Sequence, residues 1–144
     1  MKVEHNTVIA AAPAKLFDVV TDAKRLEDWV TIHEALVEAP PGPLKAGSQL
    51  TQELKLAGRC FTVHWTVVES ERPKRVVWKG RGPLHSEASV TYELEPDGDG
   101  THFSYTNDYH LPGGPLGRVA GPLVARVTKR ELQASLEKLR GLVE

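Results

Sequence analysis

Cysteine is almost absent. Cys60 is the one thiol in 144 residues, which excludes an internal disulfide and a cysteine-based metal cluster. Long apolar runs are missing too. None approaches the roughly 18 residues that a membrane-spanning helix needs, so no membrane span is expected. Neither charge sign dominates: 18 Lys and Arg stand against 19 Asp and Glu, a formal net charge of −1 at pH 7. That balance carries no nucleic-acid footprint, and no nucleic-acid partner is expected. The opening MKVEHNTVIAAAP places Glu4 soon after one lysine and lacks the apolar core of a signal peptide, so a cytoplasmic location is the expectation. Repeats, linkers and low-complexity tracts are absent, and Pro40-Pro41-Gly42-Pro43 reads as a loop. Ser86, Ser89 and Ser104 lack the glycine-framed elbow of a nucleophile. Gly80-Arg81-Gly82 and Gly113-Gly114 lack the lysine–serine partner of a phosphate loop. Cys60, near a strand start without a signature, reads as buried and inert.

What is present is one ordinary domain, residues 1–144, with strands first and a long helix last. Leu116, Val119, Ala120, Leu123, Val124 and Val127 recur at three- and four-residue spacings, and so do Leu132, Leu136, Leu139 and Val143. The two stripes are out of phase by roughly 150° at 100° per residue. Gly121-Pro122 sits between them and predicts either a kink or a break, since a mid-helix proline removes one hydrogen bond and clashes with the preceding turn. Upstream, Val3 to Ala10 predicts a first strand. Pro13 suits the first turn of a short helix bearing Leu16, Phe17 and Val20, and Asp22 caps a second that ends near Trp29.

From Val30 onward apolar and polar residues alternate, the mark of half-buried strands. Strands are expected over Ile32–Ala39, Ser48–Leu56, Cys60–Glu69, Arg75–Gly80, Ser86–Glu95 and Thr101–Leu111. Short turns, among them Ala57-Gly58 and Pro96-Asp97-Gly98-Asp99-Gly100, make the order an antiparallel meander. The fold class is therefore α+β: a curved antiparallel sheet of about seven strands around a long C-terminal helix, with two short helices between the first two strands. One helix does not fill such a sheet, and a cavity between them is expected.

The order of elements and several local stretches resemble the START/Bet v 1-like (SRPBCC) superfamily of helix-grip proteins, and within it the polyketide cyclase/dehydrase-like branch. Ile9-Ala10-Ala11-Ala12-Pro13 with Leu16-Phe17 is similar to that family's strand-to-helix entry. Thr21-Asp22 through Leu26 to Trp29 is similar to its second helix. Val67 through Pro73 to Val76-Val77, Leu94 to Thr101, and Arg130-Glu131-Leu132 to Leu139 resemble later parts of its fold. The likeness spans nearly the whole chain and implies a helix-grip fold. For function it implies a range, from lipid carriers and hormone receptors to aromatase/cyclases, quinone-binding proteins and chaperone co-factors.

Alternation assigns the inward faces. Gln52, Trp65, Trp78, Tyr92, Tyr105, Asn107 and Tyr109 face the helix, and Leu123 faces them from it. Together they form the candidate ligand site, an aromatic wall with a few hydroxyl and amide groups suited to a flat or polycyclic ligand. The bland alternative is a core with satisfied polar tips. Trp29 is expected to pack the short helices. His64, His102 and His110 alternate outward, as does Asp108, so three converging ligands for a metal are not found, and neither a metal nor a cofactor is expected. His85 lies at a turn that leads into the sixth strand. Arg118, Arg126, Lys129 and Arg130 give the helix a basic side, either a solvated face or a docking patch for an acidic partner or lipid headgroup.

Three functions follow. The first is enclosure of a hydrophobic, cyclic or lipid-like small molecule. The second is a cyclase, aromatase or dehydratase in which Tyr105, Asn107 or Tyr109 holds an enolate oxygen or relays protons. The third is a protein-partner module. A homodimer is a further assembly to consider. No inward histidine or buried carboxylate is expected to act as a strong base.

Overall fold

The structure, a computed structural model, describes the backbone of residues 2–110 and 115–144, and the side chains of residues 2–110 and 122–144. Seven strands run in chain order: β1 (Lys2–Ile9), β2 (His33–Glu38), β3 (Gln49–Leu56), β4 (Arg59–Glu71), β5 (Arg75–Arg81), β6 (Glu87–Asp97) and β7 (Gly100–His110). The helices are α1 (Pro13–Val20), α2 (Leu26–Trp29) and α3 (Pro115–Val143). Pro13 opens α1, and the Asp22 carboxylate accepts from the Lys24 backbone N–H to cap the single 3-10 turn leading to α2.

The strands form one antiparallel sheet in the order β1-β7-β6-β5-β4-β3-β2, so the first strand joins the last and the rest is a meander. Ala57 and Gly58 both take positive φ, which suits the two-residue β3–β4 turn to the twist of its strands. Register shifts at His33/Ala35, Leu36/Glu38 and Val67/Glu69 insert extra residues, and such bulges bend a sheet. The concave face meets α3, and α1 and α2 close one end with Leu16, Phe17, Val20, Leu26 and Trp29, all buried. This is the helix-grip arrangement.

The last helix is one continuous element from Pro115 to Val143 with Pro122 inside it. Its inward face starts at half-buried Val124 and continues through buried Thr128, Leu132, Leu136, Leu139 and Val143, each three or four residues from the next, with buried Ser135 beside Leu136. The expected out-of-phase stripe centred on Leu123 and Val127 is therefore corrected. A continuous helix carries the face set by Leu136 and Leu139 back through Thr128 to Val124, which turns Leu123 about 100° away. Leu116, Val119, Ala120 and Arg118, with the Pro112 to Gly114 stretch, lie outside the residues whose side chains are described.

Several contacts pin the second half of α3. The Thr31 backbone N–H donates to Ser135 Oγ at 3.0 Å, and the Thr31 hydroxyl donates to the Glu131 carboxylate. At the far end Lys15 Nζ donates to the Val143 carbonyl at 3.2 Å, and the Ala10 N–H donates to Glu144 Oε2 at 2.9 Å. Cys60 is exposed rather than buried, because as the second residue of β4, paired with Lys55 at the hairpin end, it shares the outward parity of Thr62 and His64. Among the described residues no helix is long and apolar enough to cross a membrane.

Candidate functional site

The site begins with small residues in a row of large ones. Across the sheet Leu50 pairs with Trp65, Trp65 with Gly80, Gly80 with Ala88 and Ala88 with Tyr109. Ala88 leaves a hollow between the two aromatic side chains. Trp65 leans into the space over Gly80 so closely that a Cβ there would stand 2.5 Å from its ring. The hollow that remains is an outer chamber of about 110 Å³, lined by Leu54, Leu56, Phe61, Val63, Ala88 and Tyr109 of the sheet and closed by Val124 and Thr128 of α3. Ser86, Glu87 and His110 stand at its edge.

Deeper in, an inner chamber of about 30 Å³ is lined by Gln52, Trp78, Val90, Tyr92, Tyr105 and Asn107, with Leu26 and Val30 beneath. Ile32, Leu54, Trp65 and Asn107 line both chambers, so the two adjoin. Together they are close to the roughly 150 Å³ that holds one benzene ring. Seven of the residues expected from alternation thus come together: Tyr109 in the outer chamber, Gln52, Trp78, Tyr92 and Tyr105 in the inner, Trp65 and Asn107 in both. Leu123 does not join them. It is 61% exposed, and its neighbour Val124 takes the lining position.

The polar groups are ordered by a chain of hydrogen bonds. Trp65 Nε1 donates to Gln52 Oε1 at 3.0 Å, and Gln52 Nε2 lies 2.8 Å from His33 Nδ1. An indole can only donate, so the Gln52 carbonyl is the acceptor and its amide donates onward. His33 Nδ1 must then be unprotonated, which keeps the imidazole neutral. Burial lowers the His33 pKa, partly offset by Glu27 and Glu34. Sequence reasoning missed His33, since the first residue of a bulged edge strand has no clear alternation to follow. Thr128 was missed too, since a polar residue outside the apolar stripes of α3 carries no signal of its own.

Aromatic rings form the floor. Tyr92 lies 5.1 Å from Tyr105, 5.7 Å from Trp78 and 5.7 Å from Trp29, all in tilted or edge-on geometry. Trp29 thus reaches past the short helices and supports the tyrosines from below. Burial pushes both phenols up, Tyr105 to about 12, and the two hydroxyls are hydrogen-bonded to each other. Burial also raises Tyr109, while the Thr128 hydroxyl draws it part of the way back. The indole N–H of Trp78 is buried and has no hydrogen-bond partner among the described residues, as is that of Trp29. An unmet buried donor costs about 1–3 kcal/mol.

A broader depression of about 840 Å³ lies on the opposite side of the sheet, lined mainly by outward side chains such as Thr51, His64, Lys79, Arg81, Glu87 and Asp108. Its mixed charges stay hydrated, so it offers little of the desolvation that drives binding of apolar molecules. His64 there bonds Thr51 at 3.1 Å, and His102 bonds Asn6 at 3.1 Å on the same outer parity. Arg126, Lys129 and Arg130 are exposed along α3.

Comparison with known proteins agrees with this geometry. The family described as "Polyketide cyclase / dehydrase and lipid transport" matches residues 1–144. Uncharacterized protein Rv1546 of Mycobacterium tuberculosis is 26% identical over 140 residues, covering 97% of this chain and 96% of its own. Among solved structures, TTHA0849 from Thermus thermophilus superposes with a TM-score of 0.80 at 19% identity, covering 98% of this chain and 95% of that one. Ara h 8.0201 superposes with a TM-score of 0.71 at 18% identity, covering 99% and 96%. These structural likenesses show the fold. With the match along its full length, the chain belongs to the polyketide cyclase/dehydrase and lipid transport family of the SRPBCC (START/Bet v 1-like) superfamily.

Proposed function

We propose that this protein encloses a compact, hydrophobic, uncharged small molecule between the sheet and α3. The observation that carries this reading is the pair of adjoining chambers, apolar outside and polar-tipped inside, in a family whose description includes lipid transport. Desolvation of an apolar body against Leu54, Leu56, Phe61, Val63 and Val124 would supply the driving force. The hydroxyl and amide groups of Tyr105, Tyr109 and Asn107 would orient it.

Carriage is favoured over turnover by the chemistry of the lining. Among the described residues no carboxylate lines the inner chamber, and Tyr105, its phenol pushed up to about 12, is a donor rather than a base at neutral pH. A cyclase or dehydratase reading is retained for Tyr109, which stands at the junction of sheet, helix and outer chamber. In that reading Tyr109→Phe would abolish turnover while the fold survives, whereas a carrier would lose only modest affinity. Cytoplasmic placement belongs to the proposal, as does assembly into a homodimer, which light scattering would reveal as twice the monomer mass.

The deciding experiment is mass spectrometry of an organic extract of the purified protein beside a control protein. A stoichiometric apolar compound is the expected result. An empty extract, together with no thermal shift from a panel of lipids, quinones and aromatic ketones, would reject enclosure and favour a partner-binding module. Such a module should respond to Arg126→Glu with Arg130→Glu.

A further inference from the structure

We infer that the inner chamber is an acceptor-binding subsite: it takes one carbonyl oxygen of an uncharged ligand whose apolar body fills the outer chamber. This rests on the enclosure reading above and narrows its ligand class.

The donor inventory argues for it. Trp78 lines the inner chamber, is 2% exposed, and has an indole N–H without a partner among the described residues. An indole has a donor and no acceptor, so only an acceptor can satisfy it. Tyr92 and Tyr105 are hydrogen-bonded to each other with either hydroxyl able to donate, so the pair keeps one phenol O–H for a further acceptor. Burial keeps that phenol protonated at neutral pH. Asn107 reaches both chambers and adds an amide at their junction.

The other polar lining is committed elsewhere. Gln52 gives its carbonyl to Trp65 and its amide to His33. Among the described residues no Lys, Arg, His, Asp or Glu lines the inner chamber. A carboxylate or phosphate would lose its hydration there without gaining a counter-charge, so an anionic head is disfavoured. A cation would meet donors and no anion.

Size sets the last limit. The inner chamber's 30 Å³ accommodates a single water-sized group. The leading group is therefore one oxygen wide, and the outer chamber, walled largely by aliphatic and aromatic side chains with polar groups at its edge, receives the body. A hydroxyl brings a proton that must find an acceptor such as the Asn107 carbonyl, a demand a ketone does not make, which ranks it below a carbonyl.

Indole ¹⁵N NMR of the full chain tests this, with acetophenone and ethylbenzene as a matched pair. Trp29, Trp65 and Trp78 supply three indole signals, assigned by single Trp→Phe variants. The expected result is that acetophenone shifts the Trp78 signal downfield, leaves that of Trp65 in place, and binds about tenfold tighter than ethylbenzene. In Trp78→Phe the preference for the ketone should shrink towards unity. If that variant does not fold, the wild-type affinity ratio and the Trp78 shift decide alone. Equal affinity of the pair with an unmoved Trp78 signal would overturn the subsite and leave enclosure standing. Tighter binding of 1-phenylethanol than of acetophenone would overturn the carbonyl assignment. Binding of neither member, nor of the larger pair 1-tetralone and tetralin, would overturn enclosure and the subsite with it.

Discussion

His33 links the edge of the sheet to the cavity wall, and its protonation state is set by its neighbours. Gln52 presents an N–H to Nδ1, so a proton there would place two donors face to face. Burial holds the folded-state pKa below the ordinary 6.5, against the pull of Glu27 and Glu34. Between those two values the unfolded chain binds more protons than the folded one, so stability rises with pH. The contribution is full above about pH 6.5 and is lost as the pH falls towards the folded-state value. Urea unfolding midpoints should therefore drop between pH 7.5 and pH 5.5, and His33→Asn should flatten that part of the profile. An unchanged slope in the variant would show that another group sets it. Tyr109, Tyr105 and Asn107 were placed correctly from alternation, because parity along β7 is a local property. His33 was not, because β2 is bulged and parity lapses where the register shifts.

At the scale of the element, α3 divides into an anchored half and a covering half. Leu132, Leu136 and Leu139 are buried, and the Thr31 contacts to Glu131 and Ser135 lock the same stretch to the end of α2. Val124 and Thr128 cover the outer chamber. Leu136→Ala should destabilise the protein by about 2–5 kcal/mol, because it leaves a cavity where helix meets sheet. Leu123→Ala should change stability by less than about 0.5 kcal/mol, as it removes an exposed side chain. Chemical denaturation of the two variants checks both, and similar losses would contradict the assigned helix face. From sequence alone the two leucines look alike. Each belongs to an apolar stripe, and only the contact between helix and sheet ranks one stripe over the other. Pro122 offered a break, yet the helix runs through it.

Over the whole molecule, the chain closes on itself by pairing β1 with β7, residues about a hundred positions apart. The end of α3 then ties back to the start of α1 through Glu144 with Ala10 and Val143 with Lys15. Neither terminus can leave without opening the β1–β7 edge of the sheet or the contacts of α3 with it. The chain is thus expected to unfold as one cooperative unit, with tryptophan fluorescence and far-ultraviolet circular dichroism giving coincident transitions. Two separated transitions would instead divide it into independent units.

The amino-acid sequence by itself determined the strands, their turns and their inward faces. These rest on a period of two and on turn chemistry that neighbouring residues supply. It also determined that a long helix must cover the sheet, since the inward faces would otherwise meet water. Only the tertiary structure decided which face of that helix is buried, that His33 joins the wall through Gln52, and that the Trp78 indole, beside a chamber, is unmet among the described residues. Each of these depends on volumes and hydrogen-bond partners brought together from distant parts of the chain. Gly80 and Ala88 make the point: on the strand each is only a small residue, and in the sheet Gly80 gives the space that Trp65 fills while Ala88 lines the hollow that remains.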